Sequence, residues 1–408
     1  MKEFIQRIPK SDLHVHLDGS VRVKTLIDIA KKDKLKLPSY SEEGLNKLLF
    51  KDHYANLVEY LQCFGATIPA MQSPENLERI AYEFAMDNIN EGVCYVEVRF
   101  APQFHMNKKM DFERVLTSVS KGMQRAQREY NNRTEVKSGE LPKFFFGIIV
   151  CAMRAFGKGL SEYFDMFLDA HRYSDDKMVH ALASYELVKA SVQARDTLDL
   201  PIVGFDLAGA EAGNPAEDHK LAYHFAHKNF MHLTVHAGEA YGPESIFQAI
   251  TDLYADRIGH GYYLFAHDKI SDPEIDDPKD YVGRLAQYIA DRRVTIEVCL
   301  TSNLQTNPTI GSLKKHQFGK MLGAKLSTTI CTDNRTVSKT SVTQEIHRAI
   351  NAFNLKGEVL KDILVYGFKR SFFPGTYAEK RTYVRSVINR YELLEKRFSE
   401  NDKPKKKK

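Results

Sequence analysis

The sequence predicts an α/β protein built as a (β/α)8 TIM barrel with a helical insert after the first strand. Three observations carry that reading. Eight short apolar, β-branched runs recur along the 408 residues, helical patterns separate them, and most of the runs end in polar residues. Parallel strands need a long crossover between them, and a helix is the usual one. Six such units would give an open doubly wound sheet instead, so the count of eight favours closure.

The first run, 13–17, sits inside Asp12-Leu13-His14-Val15-His16-Leu17-Asp18-Gly19. About 75 residues then pass before the second run, where a plain βαβ unit occupies ~30. That excess predicts an insert at about 20–90. Within it Leu57, Leu61 and Phe64 fall at helical spacing in a stretch covering 54–64. They read either as packing for the insert or as an apolar lid over a pocket, since long inserts after barrel strands often form lids. The remaining runs are 94–100, 144–153, 202–207, 232–236, 257–260, 294–300 and 326–332. Helices are expected at 73–90, 112–129, 177–195, 215–229, 244–254 and 283–292, and a polar surface loop at 131–143. Residues 1–398 read as one catalytic domain and 399–408 as a disordered, Lys-rich tail.

Charge excludes a nucleic-acid footprint on average. The net +5 comes from Lys403 and Lys405 to Lys408; without them 53 basic residues face 53 acidic ones. Five cysteines, Cys63, Cys94, Cys151, Cys299 and Cys331, form no Cys-x-x-Cys pair, which argues against a disulfide framework and a cysteine zinc site. No apolar run is long enough for a membrane span. Met1 to Arg7 has no apolar signal core, so a cytoplasmic protein is expected.

The chemistry gathers at the strand ends. Thr234-Val235-His236-Ala237-Gly238-Glu239 runs from an apolar strand into a His and a Glu, with Gly238 allowing the sharp turn that brings Glu239 to the same side. His14 and His16 are two apart on a strand and share a face. His260 lies between Gly259 and Gly261, and Asp333 leaves the last apolar run. In a barrel all eight carboxyl ends meet on one rim. Three imidazoles and one carboxylate there suit a borderline cation such as zinc, which lowers the pKa of a bound water to about 7. Glu239 and His260 are then left as acid–base groups. These residues describe a metal-assisted hydrolase of unspecified substrate.

Five blocks, His14-x-His16-Leu17-Asp18-Gly19, Asp206-Leu207-Ala208-Gly209, His236-Ala237-Gly238-Glu239, Gly259-His260-Gly261 and Thr332-Asp333, resemble the adenosine deaminase family in order and separation, over about residues 8 to 350. The resemblance implies a zinc-dependent barrel enzyme, one Zn2+ per chain, that converts adenosine and 2′-deoxyadenosine to inosine products and ammonia. Its nearest alternatives are an adenine deaminase or a deaminase of N6-substituted AMP, and further off a non-catalytic nucleoside-binding relative. By this resemblance His14, His16, His236 and Asp333 are metal ligands, Glu239 protonates purine N1, and His260 orients the attacking oxygen. Gly209 offers its backbone N–H to N3 and Asp18 meets the ribose 5′-hydroxyl. His16 also borders the substrate, and Leu57, Leu61 and Phe64 form the lid. The implied partner is a small purine nucleoside, with no nucleic acid or membrane involved, and a monomer is expected. Asn334 departs from the family, many of whose members carry a second Asp there against purine N7; an amide can donate to N7 from its NH2. The fourth strand carries no Lys, against a two-metal site bridged by a modified lysine. The other zinc deaminase signature, His-x-Glu with Pro-Cys-x-x-Cys, is absent.

Overall fold

The computed structural model describes residues 2–401. Eight parallel strands follow one another in order: β1 (Lys10–His16), β2 (Val93–Phe100), β3 (Phe145–Met153), β4 (Ile202–Ala208), β5 (His232–Ala237), β6 (Arg257–His260), β7 (Thr295–Val298) and β8 (Thr328–Ile330). Each pairs with the next, and the barrel closes through one residue beyond β8. Asp333 donates its N–H to the His14 carbonyl at 2.8 Å and accepts from the His16 N–H at 2.7 Å. The predicted (β/α)8 barrel is therefore the observed one, and Asp333 and the two β1 histidines share its closing seam.

The strands are apolar because both faces are covered, the barrel interior on one side and the helical ring on the other. The helices begin where a short polar side chain replaces the lost backbone partner. Ser73 accepts from the Asn76 N–H before helix Pro74–Asn90, Asp111 from Arg114 before Phe112–Asn131, and Asp175 from Met178 before Asp176–Leu198. The insert after β1 holds helices Val23–Asp33, Glu42–Leu48, Leu57–Leu61 and Phe64–Thr67, and Pro74–Asn90 serves as the crossover itself.

Several elements differ from expectation: the run 326–332 gives only the three residues of β8, and the helices after residue 300 lie beyond those expected. The run 294–300 gives only β7, because Leu300 opens a helix to Thr306 in which buried Glu345 accepts the Thr301 N–H at 3.1 Å. The expected loop 131–143 contains one helical turn, Thr134–Lys137. Helices Glu162–Ala170, Val342–Phe353, Gly357–Lys369 and Tyr377–Asn401 complete the shell. Most of the Lys-rich tail lies outside the described residues. Among those described, no helix is long and apolar enough to cross a membrane, and all five cysteines are free and buried.

Inside the barrel an ion network replaces part of the apolar core. Arg99 bonds Asp206 at 2.8 Å and Glu297 at 2.9 Å, while Arg257 bonds Glu297 at 2.6 Å and also reaches Glu97. Burial by itself would raise Glu297, but Arg99 and Arg257 hold it far below the usual carboxylate range. Removing one member of such a network leaves an unpaired buried charge, at a cost of about 3–5 kcal/mol.

Candidate active site

His14 and His16 project from the carboxyl half of β1, His236 from the end of β5, and His260 from the end of β6. His260 and Asp333 adopt left-handed backbone angles, φ +64° and +62°, that aim their side chains across the rim. One ligand atom from each of His14, His16, His236 and Asp333 lies within 4.8 Å of the other three. His16 Nε2 stands 3.1 Å from His236 Nε2. His14 Nε2 and His16 Nε2 each stand 3.4 Å from Asp333 Oδ1.

The outward ring nitrogens explain the arrangement. His14 Nδ1 meets Glu297 at 2.7 Å and His236 Nδ1 meets Asp206 at 3.0 Å. Each Nδ1 donates its proton to a carboxylate, which turns the Nε2 lone pair inward. Burial pulls His16 and His236 below the ordinary imidazole range, whereas His14, though burial and Arg99 lower it, is raised by its hydrogen bonds to Asp333 and Glu297. Among the described residues, His14 Nε2 is buried with no hydrogen-bond partner. Inward lone pairs beside a carboxylate repel one another unless a cation sits between them, so the donor set fits a metal. In a second trio, His14, His260 and Cys299, the ligand atoms also lie within 4.8 Å of one another. Burial pushes the Cys299 thiol well up, so that trio would hold a cation only by displacing the thiol proton.

Glu239 faces this cluster from the loop after β5. Gly238 turns there at φ +69°, where an added Cβ would lie 2.5 Å from Ile246. The loop is held by Glu211, whose carboxylate accepts the N–H groups of Gly238 at 2.9 Å, Glu239 at 3.0 Å, Ala240 at 2.6 Å and Tyr241 at 3.0 Å. Burial, then the charges of Asp333 and Glu211, push the Glu239 carboxyl well above its ordinary range. Its carboxyl stands 3.6 Å from His260 Nε2.

A chain of hydrogen bonds sets the His260 tautomer. His316 Nδ1 accepts the Phe318 N–H at 3.0 Å, so its Nε2–H donates to Asn303 Oδ1 at 3.2 Å. The Asn303 amide then donates to His260 Nδ1 at 3.1 Å, leaving the proton on Nε2, toward the cavity.

The cavity of about 360 Å³ is bordered by Leu57, Leu61 and Phe64 on one side and Asp18, Gly209 and Asn334 on others, with His16, His236, Glu239, His260 and Asp333 at its floor. That size is in the range of small-ligand pockets. Gly209 has φ +101°, and a Cβ there would crowd Met153 at 3.0 Å. Burial pushes Asp18 up to about 7. Asn334 Oδ1 is buried with no partner among the described residues. All the expected site residues therefore gather in one place, and the insert's apolar trio lines the cavity as well as packing against the core.

Sequence reasoning did not single out the supporting groups. Glu297 had a visible signal, a lone carboxylate inside an apolar run. Asp206 was noticed only within its block. Glu211, Asn303 and Arg154, which bonds the His236 carbonyl at 2.6 Å, had none.

The family model described as adenosine deaminase matches residues 9–196 and 173–390. The chain belongs to the adenosine deaminase family. A relative named adenosine deaminase, from Mycobacterium avium (strain 104), is 33% identical over 395 residues, covering 96% of this chain and 98% of that one. Two solved structures share the fold. An amidohydrolase from Burkholderia ambifaria, with bound zinc, has a TM-score of 0.76 at 18% identity, covering 98% of this chain and 94% of that one. The N6-methyl-AMP deaminase of Arabidopsis thaliana has a TM-score of 0.70 at 23% identity, covering 95% and 98%. For a member of the adenosine deaminase family the four-donor cluster is where a metal cofactor fits.

Proposed function

We propose that the protein hydrolyses adenosine and 2′-deoxyadenosine to inosine and 2′-deoxyinosine, releasing ammonia, with one zinc per chain held by His14, His16, His236 and Asp333. The observation that supports this most is Glu239, its side chain buried and 3.6 Å from His260, facing that donor cluster across the cavity. Zinc at that position would lower the pKa of a water to about 7 and supply a nucleophile at neutral pH.

The chain's own residues do the rest. Attack at C6 breaks the ring's aromaticity and places electron density on N1, and Glu239 delivers its proton there as that density develops. The proton of the new C6 hydroxyl then passes to the exocyclic amine, the C6–N bond breaks, and ammonia leaves C6=O and N1–H behind. His260, with its proton on Nε2, donates to the attacking oxygen and keeps it on one face of the purine. Gly209 offers its backbone N–H to N3, Asn334 its amide N–H to N7, and Leu57, Leu61 and Phe64 cover the base and exclude water. Asp18 meets the 5′-hydroxyl. A phosphate dianion at that buried carboxyl would be repelled by its ionised form, which favours a nucleoside over AMP.

Steady-state assays on adenosine, deoxyadenosine, adenine, AMP and N6-methyl-AMP test the reading. The highest kcat/KM is expected for the two nucleosides, and a preference for adenine or either nucleotide overturns it. Asn334→Ala is expected to cost about 1–3 kcal/mol in kcat/KM on adenosine, the penalty for losing a buried hydrogen-bond partner. On 7-deazaadenosine, which lacks the acceptor, wild type and variant should converge; a full additional loss removes Asn334 from N7. Glu211→Gln presents an NH2 to backbone donors that now meet a carboxylate. It should lower kcat by about 10-fold or more, corresponding to the ~1.5–3 kcal/mol of a charged hydrogen bond. KM and metal content should change little, and an unaltered kcat would show that the loop holds without this anchor.

A further inference from the structure

At the end of the barrel opposite the cavity, a groove of about 860 Å³ opens beside the starts of the strands. Arg293 stands just before β7, and the Arg370 carbonyl accepts from Arg257, the first residue of β6, at 2.9 Å. Six cations line the groove, Arg293, Lys369, Arg370, Lys380, Arg381 and Arg385, and no carboxylate does. Among the described residues none of the six forms an ion pair, though Lys380 Nζ donates to the Ser371 carbonyl at 2.6 Å, whereas other surface cations such as Lys361 are ion-paired. Arg370 Nε is buried with no partner, and burial together with Arg293 lowers the Arg370 guanidinium.

Helix stability accounts for half of this charge. Lys369 and Arg370 end helix Gly357–Lys369, and Arg293 ends Pro278–Arg292, where cations complement the helix dipole. Lys380 and Arg381 lie instead at the start of the 25-residue helix Tyr377–Asn401, where the dipole opposes them, and Arg385 one turn further on. The acidic residue in that first turn, Glu379, is engaged with Thr376 at 2.8 Å. A bound anion would answer both the unpaired cations and the helix N-terminus. Four of the six are arginines, whose planar forks match phosphate oxygens. Acidic and basic residues balance over the chain without the tail lysines, so the groove is a local concentration rather than part of a long basic track suited to a polymer.

We propose that this groove is a second binding site, independent of the active site, for a small multiply charged phosphate anion, a triphosphate group either free or carried on a nucleoside. Tyr377, 75% exposed with the Arg381 guanidinium 5.9 Å from its ring, offers a stacking face at the rim that distinguishes the two sources.

The test is calorimetric titration of the purified full-length protein at physiological salt with inorganic tripolyphosphate, ATP and a 12-nucleotide single-stranded RNA. The double variant Arg381→Glu/Arg385→Glu is run in parallel. These residues are exposed and remote from the cavity, so the variant should fold and deaminate adenosine as the wild type does. Wild-type binding of tripolyphosphate, weakened at least ~10-fold in the variant, is the expected result. Equal affinity for ATP supports recognition of the phosphates alone. Tighter ATP binding that Tyr377→Ala reduces to the tripolyphosphate level supports the nucleoside-borne form. Absence of binding at millimolar ligand overturns the proposal. So does binding that survives the charge reversal, which would place the anion in the cavity or on the tail, and so does RNA bound more tightly than either triphosphate.

Discussion

His14→Ala is expected to abolish both metal binding and deamination. Elemental analysis after gel filtration should find about one zinc per wild-type chain, the number one four-donor site holds, and close to none in the variant. His14 supplies a wholly buried Nε2 that stands 3.4 Å from Asp333 Oδ1, within the donor cluster, while its other nitrogen is tied to Glu297. One nitrogen of the imidazole is thus held by a carboxylate, and the other faces the donor cluster. The fold should survive the change, because Glu297 keeps Arg99 at 2.9 Å and Arg257 at 2.6 Å. Circular dichroism and the elution volume check that point. Cys299→Ala separates the two donor sets that share His14. If the metal sat among His14, His260 and Cys299, this variant would lose it too. With the ligands proposed here it should keep both zinc and activity, at a modest stability cost for a small buried side chain. A fully active, metal-free wild type would remove the metal from the mechanism altogether.

The barrel was legible because parallel strands covered on both faces must be continuous apolar runs, and eight of these stand apart in the sequence. Run 257–260 coincides with β6, bounded by Asp256 on one side and Gly261 on the other. Run 294–300 overshot because Leu300 is as apolar as the strand before it. The helix that starts there depends on Glu345, more than 40 residues away, and no local pattern announces that partner. The late helices were open to the same periodic reading as the earlier ones: Val342, Ile346, Ala349 and Ile350 repeat at helical spacing and are all buried.

At the site, the residues that would touch metal or substrate were visible because they interrupt apolar strands at their ends. The groups that orient them were harder to see. Glu211 works through backbone N–H groups nearly 30 residues later, and Asn303 and His316 act through each other. Their identity is dictated by hydrogen-bond geometry in three dimensions, which leaves no spacing to detect. Charge behaved similarly. The balance of acidic and basic residues hides a groove in which six cations gather from three separate segments.

Glu239→Gln is the variant that tests the chemistry most directly. The amide keeps the shape and most of the hydrogen bonding of the carboxylic acid, and the loop beneath it stays anchored by Glu211 through main-chain groups that the substitution does not alter. What it lacks is an acidic proton. If Glu239 protonates N1, kcat should fall by about 10²–10⁴-fold, the usual worth of a positioned general acid, while zinc content is unchanged. A planar product-like ligand should bind the variant nearly as well as the wild type. An analogue with a tetrahedral, hydroxyl-bearing C6 and a protonated N1 should lose much more affinity, because it resembles the transition state. The pH dependence has a defined sign. Burial and the charges of Asp333 and Glu211 raise the Glu239 pKa, so its active, protonated form predominates at neutral pH and is lost as the pH climbs through that raised value. Wild-type kcat should therefore decline on the alkaline side, and that limb should be missing from the residual activity of Glu239→Gln. If Glu239 were only a polar partner at a strand end, the variant would keep more than about a tenth of wild-type kcat, well short of the loss a general acid produces, with the alkaline limb intact. That result would exclude N1 protonation by Glu239.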